Sequence, residues 1–231
     1  MKKERLDKYL HDLGYGTRSE IKIFIKKNNI YINDILIKDS GYLIDPSIDK
    51  LMINDQIINY QKYIYLMLNK PAGYISTTED LPNSVMKLLK DYKKYQIFPI
   101  GRLDKDTTGL LLFTNDGMFS HNLIHPKKHI DKIYNVMVDK KLDENKIKEV
   151  MKGINQPNFK TKPCIIKIID DYNYEFIIHE GQYHQIKRMV NYLDSNVIKL
   201  HRLAVGNLYL DIDEGMVREL NDSEILKLKK E

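Results

Sequence analysis

A nine-residue polar loop set between two apolar runs constrains this chain more than any other feature. Residues 96–100 and 110–114 read as buried strands, and between them runs Gly101-Arg102-Leu103-Asp104-Lys105-Asp106-Thr107-Thr108-Gly109. A polar, glycine-bounded loop presented by two buried strands is where working residues concentrate. Asp104 lies near the cations Arg102 and Lys105, neighbours that favour the charged form of a carboxylate. An ionised, desolvated aspartate can act as a nucleophile, and Asp106 supplies a second carboxylate. The same spacing also fits a turn whose Asp and Thr side chains satisfy one another. The loop alone leaves both readings open.

The flanking sequence sets the architecture. Leu6, Tyr9, Leu10 and Leu13 have helical spacing across residues 5–13, and Gly14 and Gly16 end that helix. Thr17-Arg18-Ser19-Glu20 fits a capping box. A second helix therefore starts near Arg18, with Ile21, Phe24 and Ile25 on one side and Lys22, Lys26 and Lys27 on the other. Residues 30–32 and 35–37 flank Asn33-Asp34, a two-residue hairpin signal, and a further strand is expected at 50–53. Residues 1–30 carry 8 basic and 4 acidic side chains, and residues 31–60 carry 2 and 5. A basic helical pair beside an acidic hairpin base suits a phosphate backbone, although solvated faces give the same count.

After a polar link at 59–62 the texture changes. Strands are expected at 63–68, 133–138, 164–169, 175–179 and 197–200, and helices at 85–89, 118–124, 143–152 and 182–193. Asn115-Asp116-Gly117 reads as a turn. No regular strand–helix alternation is present, which predicts an α+β fold with a mixed, largely antiparallel sheet. The expected division is 1–60 and 63–231.

Two further stretches bear chemistry. In Glu180-Gly181-Gln182-Tyr183-His184-Gln185-Ile186-Lys187-Arg188-Met189, the residues Ile186, Met189, Val190 and Leu193 form a helical core stripe. Lys187 and Arg188 project off that stripe, able to pair with a neighbouring carboxylate or phosphate. In Lys127-Lys128-His129-Ile130-Asp131-Lys132-Ile133-Tyr134, a basic run leads into a strand bearing an aromatic, a plausible RNA contact. Among 16 tyrosines, however, a strand tyrosine is ordinarily core.

Composition enters by exclusion. The net charge of +5 permits a polyanionic partner without requiring one. Lysines outnumber arginines 31 to 6, which draws attention to Arg5, Arg18, Arg102, Arg188, Arg202 and Arg218. No apolar run approaches the ~20 residues of a membrane helix. The charged start predicts no secretory signal. Cys164, the single cysteine, excludes a disulfide framework and points to a reducing, cytoplasmic compartment. P-loop, Gly-x-Gly-x-x-Gly, His-Glu-x-x-His and nucleophile-elbow patterns are absent, so neither a cofactor nor a metal is expected.

Together the three stretches resemble the RsuA/RluB/RluE/RluF family of pseudouridine synthases over nearly the whole chain. Residues 1–60, with Arg5-Leu6-Asp7-Lys8-Tyr9-Leu10, Thr17-Arg18-Ser19-Glu20 and Ile32-Asn33-Asp34, resemble the small α-α-β RNA-binding module of ribosomal protein S-four. Asp34 stands where that module often has glycine. Residues 63–231 resemble the catalytic domain through Gly-Arg-Leu-Asp-Lys-Asp-Thr-x-Gly-Leu-Leu and Thr114-Asn115-Asp116-Gly117.

The resemblance implies isomerisation of a flipped-out uridine to pseudouridine in ribosomal RNA, without a cofactor. Asp104 would be the catalytic aspartate. Tyr134 would stack on the uracil and assist proton removal from C5. Lys187 would pair with Asp104, standing where the family more often has Arg. Arg102 would help hold the nucleotide, and Asn69-Lys70-Pro71-Ala72-Gly73 and Arg202 would border the cleft. RNA contacts are expected from Arg5, Lys8, Arg18, Ser19, Lys22, Lys26, Lys70, Arg102, Lys132, Arg188 and Arg202. The segment 65–76, the Pro126-Lys127-Lys128-His129 run and the compact length resemble the RsuA branch. That branch implies 16S rRNA of the small subunit, within a ribosomal assembly intermediate and as a monomer. The alternatives are large-subunit 23S rRNA as substrate, or an assembly factor that binds rRNA without chemistry. A two-carboxylate hydrolase using Asp104 and Asp106 is a further rival, but acids two residues apart on one loop are poorly placed to flank a bond.

Overall fold

The computed structural model describes residues 3–46, 48–58, 63–125, 128 and 130–230. The expected link at 59–62, and Pro126, Lys127 and His129 of the basic run, lie outside the described residues. The chain forms two compact units, Met1–Ile64 with Asp91–Gln96, and Tyr65–Lys90 with Ile97–Glu231.

The smaller unit begins with α1 (Leu6–Asp12) and α2 (Arg18–Lys27). The Thr17 side chain accepts from the Glu20 amide, and the Glu20 carboxylate accepts from the Thr17 amide at 2.8 Å, completing the capping box. Strands β1 (Ile30–Ile32), β2 (Ile35–Ile37), β3 (Leu51–Ile53) and β4 (Gln56–Ile58) pair antiparallel in the order β2-β1-β3-β4. Asn33 and Asp34 take φ of 49° and 65°, the double left-handed turn that a two-residue hairpin requires. Leu6, Tyr9, Leu10, Ile21 and Ile25 from the helices meet Ile30, Ile32, Leu51 and Ile53 in one core.

The larger unit contains β5 (Tyr65–Lys70), β6 (Phe98–Ile100), β7 (Thr108–Thr114), α3 (Gly117–Ile124), β8 (Lys132–Val138), α4 (Glu144–Met151), β9 (Ile165–Ile168), β10 (Asn173–Ile178), α5 (Gln185–Tyr192), β11 (Val197–Val205), β12 (Leu208–Tyr209), β13 (Val217–Glu219) and α6 (Asp222–Lys230). Its sheet runs β9-β10-β8-β11-β7-β5-β13, with β12 on β11 and β6 on β7. All its pairings are antiparallel except one, the short parallel seam between β11 and β7. The fold is α+β. Met67, Leu110, Leu112, Phe119, Leu123 and Val205 belong to its main apolar core.

Several boundaries differ from expectation. The helix expected at 85–89 is a 3-10 turn, Val85–Leu88. The turn at 115–117 is the cap of α3, where Asp116 Oδ1 accepts from the Phe119 amide at 3.0 Å. The strand expected at 197–200 extends to Val205, because β8 pairs along its full length. Among the described residues no helix is long and apolar enough to cross a membrane.

Candidate active site

The polar loop enters β7 at the parallel seam, where Thr108 is in register with His201 and Gly109 with Arg202. Gly109 has φ +101°, and a Cβ there would lie 2.3 Å from the Arg202 carbonyl oxygen. Glycine lets the two strands approach this closely.

The segment that follows β5 braces the loop. Lys70 is fully buried, and its ammonium donates to the carbonyls of Thr107 at 2.7 Å, Pro71 at 3.0 Å and Lys105 at 3.3 Å. Burial pushes its pKa down to about 8, opposed by the charges of Asp106, Asp104 and Glu214. The Gly73 amide donates to the Lys105 carbonyl at 2.8 Å. Ser76 Oγ donates to the Leu103 carbonyl at 2.9 Å and accepts from the Leu103 amide at 3.1 Å. The Thr107 amide donates to the Asp104 carbonyl at 3.2 Å, closing a turn. The backbone on both sides of Asp104 is thus held, while its side chain stays 30% exposed.

The segment around the start of α5 faces this turn. Ile186, Met189 and Val190 are buried, which leaves Lys187 to reach the loop. Its ammonium donates to both oxygens of Asp106, at 2.6 and 2.8 Å, and lies 3.5 Å from Asp104 Oδ2. The sequence reading pairs Lys187 with Asp104; the structure gives its hydrogen bonds to Asp106 and leaves Asp104 the looser partner. Burial alone would raise the Asp106 pKa, but the Lys187 hydrogen bond and charge outweigh it and hold it below the usual range.

His184, which precedes α5, has φ 51° and ψ 33°, a left-handed conformation uncommon outside glycine and asparagine. Its Nε2 lies 3.6 Å from Asp104 Oδ1, and its ring stacks on Tyr183 at 3.9 Å. Among the described residues the Asp104 carboxylate accepts no hydrogen bond; two basic groups flank it at ion-pair distance. Asp104, Tyr134, Arg102, His184, Ile186 and Leu200 line one cleft. Tyr134 is 7% exposed and sits on β8 at a register shift opposite Arg202.

The remaining expected contacts fall into three groups. Arg102 is exposed beside the cleft, without a partner among the described residues. On the small unit, Arg18, Ser19, Lys22 and Lys26 are exposed along α2. Others are already engaged. Arg5 grips Asp7 at 3.1 and 2.8 Å, and Lys8 holds Glu4 at 2.9 Å. Arg188 lies over the Phe159 ring and donates to the Asn158 carbonyl at 2.7 Å. Arg218, one of the six arginines though not an expected RNA contact, clamps Asp211 and Glu224.

Lys70 is a correction. With its donors on carbonyls and no exposed surface, it shapes the loop and offers nothing to RNA. Arg202 is buried as well, its Nε donating to the Leu110 carbonyl at 2.7 Å, but unlike Lys70 it lines a cavity. Lys132 lines a cavity adjoining the cleft. His184 and Ser76 were missed as site residues. The expected helix at 182–193 put His184 inside its first turn, whereas α5 begins at Gln185.

Known proteins match this chain along nearly its whole length. The family model described as RNA pseudouridylate synthase matches residues 64–192, and the S4 domain matches residues 4–47. Ribosomal small subunit pseudouridine synthase A of Haemophilus influenzae is 37% identical over 98% of this chain and 100% of its own length. The protein of that name from Escherichia coli is 31% identical over 96% of this chain and 98% of its own length. A solved structure described as a crystal structure of pseudouridylate synthase has a TM-score of 0.69 and 36% identity, covering 97% of this chain and 99% of that one.

Proposed function

We propose a ribosomal RNA substrate for this chain, which belongs to the RsuA family of RNA pseudouridine synthases and is therefore an isomerase with an RNA-binding S4 domain. The uridine it modifies lies in 16S rRNA of the small subunit, within an assembly intermediate, and the chain acts as a cytoplasmic monomer. The names of the Haemophilus and Escherichia relatives support the small-subunit assignment.

One observation carries the chemistry: a partly exposed carboxylate, Asp104, that accepts no hydrogen bond among the described residues yet has Lys187 Nζ at 3.5 Å and His184 Nε2 at 3.6 Å. Hydrogen bonding to a carboxylate stabilises the anion and blunts its nucleophilicity, whereas a nearby cation favours the charged form without occupying a lone pair. In this reading a uridine is extruded from folded RNA at a cost of roughly a few kcal/mol. Tyr134 supplies the stacking surface and Arg102 holds the nucleotide or its backbone. An Asp104 oxygen bonds to C6 of the base or C1′ of the ribose; both routes need the same unencumbered oxygen. The N1–C1′ bond breaks, the uracil turns, a C5–C1′ bond forms, and the bond between Asp104 and its carbon breaks to return the free carboxylate. The proton on C5 departs, assisted by Tyr134, and N1 gains one, so the product is an isomer.

Asp104→Asn tests this. Pseudouridine formation on 16S rRNA should fall by about three orders of magnitude or more, while RNA binding survives. Full activity in that variant overturns the assignment, and release of free uracil by the native chain would favour a hydrolase. Chemical mapping of 16S and 23S rRNA from a strain lacking the protein identifies the nucleotide. A missing pseudouridine in 23S rRNA would move the substrate to the large subunit.

A further inference from the structure

A second cavity adjoins the Asp104 cleft. Arg102, Tyr134 and Gly181 line both, but the rest of its lining differs. Ile100, Leu112, Ile130 and Val205 give it apolar surface, and Lys132 and Arg202 give it positive charge.

Neither cation has a carboxylate within ion-pair distance among the described residues. Arg202 is 4% exposed; its Nε donates to the Leu110 carbonyl, and one terminal nitrogen lies 3.5 Å from the Tyr134 hydroxyl. Lys132 Nζ donates to the Ile130 carbonyl at 3.1 Å. The neighbouring acids are committed elsewhere. Asp131 pairs with His179 at 2.5 Å. Glu180, the one acid among the described lining residues, accepts from the Lys162 amide at 2.9 Å and from Gln185 Nε2 at 2.8 Å with one oxygen, and from Gln182 Nε2 at 3.2 Å with the other. Burial, and then the charge of Arg202, push Lys132 down to about 8. A half-buried Lys132 beside a buried Arg202, with no carboxylate at ion-pair distance from either among the described residues, is costly, and a cavity between them and apolar walls is completed by a ligand that brings negative charge and a flat body.

We propose that this cavity is a second RNA subsite, which takes the phosphate and part of the nucleoside flanking the target uridine. The assignment rests on the reading of the Asp104 cleft as the uridine site. Because Tyr134 and Arg102 belong to both linings, a nucleotide next to the target in the chain can reach the cavity while the target faces Asp104. Phosphate chemistry alone would also admit a free mononucleotide, so the test must separate the two sources.

The native chain is first assayed by ethylation interference on a 16S rRNA transcript. Ethylating the phosphate beside the pseudouridylated position should block binding, and that block should disappear in Lys132→Gln, which no longer reads that phosphate. In a salt titration, Lys132→Gln should reduce the slope of log K against log[salt] by about 0.7, the value for one single-strand phosphate, and Lys132→Arg should restore it. Uridine 5′-monophosphate alone should not raise the thermal midpoint of the native chain. Even interference across the phosphates flanking the modified position overturns the subsite, and this outcome needs no variant. An unchanged slope in folded Lys132→Gln also overturns it, as does stabilisation by the mononucleotide with no interference, which would make the cavity a small-molecule site. If the native chain forms no pseudouridine in the same reaction, it is the uridine reading that fails.

Discussion

Arg18, Lys22 and Lys26 lie exposed along α2 with no ion-pair partner among the described residues, whereas Lys70, Lys132 and Arg202 are withdrawn into the larger unit, each donating to backbone carbonyls. The residue types are the same and the physics is opposite. An exposed cation keeps its hydration, attracts any phosphate backbone, and is weakened by salt beyond a Debye length of ~8–10 Å. A withdrawn cation loses hydration and must recover it from fixed dipoles, so it acts on one place only. Lys70 recovers it from three carbonyls and thereby sets the loop that carries Asp104. A net charge of +5 averages over both kinds and describes neither.

Removing the withdrawn charge should have the largest effect. Lys70→Met leaves the carbonyls of Thr107, Pro71 and Lys105 without their donor, at about 1–3 kcal/mol for each buried group. Relief of the lysine's own desolvation offsets part of this. A net loss of roughly 3 kcal/mol in denaturant unfolding is expected, with pseudouridine formation reduced further than stability accounts for, because the Asp104 turn is released. A Lys70→Met chain as stable and active as the native one would show that Gly73 and Ser76 suffice to hold the loop.

The next contrast lies within the site. Lys187 hydrogen-bonds Asp106 and stands off from Asp104. In Asp106→Asn that tether weakens, and the ammonium is free to close on Asp104. A new charge-assisted hydrogen bond of about 1.5 kcal/mol to the nucleophile corresponds to a rate roughly tenfold lower. Asp106→Glu, which keeps a charged tether, should recover most of it. Single-turnover assays at saturating enzyme distinguish these outcomes, and equal rates in Asp106→Asn and the native chain would remove Asp106 from the mechanism.

How much of this was legible beforehand follows from the range of the forces involved. The capping box at Thr17 and the hairpin at Asn33-Asp34 depend on residues within four positions of one another, and both formed as read. The stripe of Ile186, Met189 and Val190 was equally plain, being one face of one helix. The start of α5 was not. Its cap is a left-handed histidine with no side-chain cap hydrogen bond, so none of the usual Ser, Thr, Asp or Asn signals marks it. The choice of Asp106 over Asp104 by Lys187 spans 81 positions and is decided by where two elements dock. The burial of Lys70 ran against residue type altogether, since lysine is almost never fully buried unless its charge is satisfied. No strand or helix is expected from the sequence at 217–219 or 222–230, where the structure has β13 and α6.

A pH titration sharpens the comparison at smaller amplitude. Lys132 has its pKa lowered to about 8, first by burial and then by Arg202, with Asp131 and Glu180 opposing and His125 and His179 also lining the cavity. The protonated form is the one that attracts phosphate. RNA affinity should therefore be intact below pH 8 and decline as pH rises through it. Lys70 titrates in the same window, so the native chain is compared with Lys132→Arg, whose guanidinium stays charged. A decline of the same size in both would assign the effect to Lys70 or to the RNA.

The smallest effect on the fold should come from the exposed cations. Lys22→Gln with Lys26→Gln removes two side chains that make no ion pair among the described residues, so unfolding free energy should stay within about 0.5 kcal/mol of native. If each neutralises one phosphate of a single strand, the salt slope should fall by about 1.4, twice the single-contact value. The loss should be uniform across RNA sequences, because a lysine on a solvated helix face reads charge and not base edges. A slope unchanged by the pair would mean that α2 presents its positive face to water alone. Affinity would then rest on Arg102 and the withdrawn cations, and the division between long-range and short-range charge would no longer follow the division between the two units.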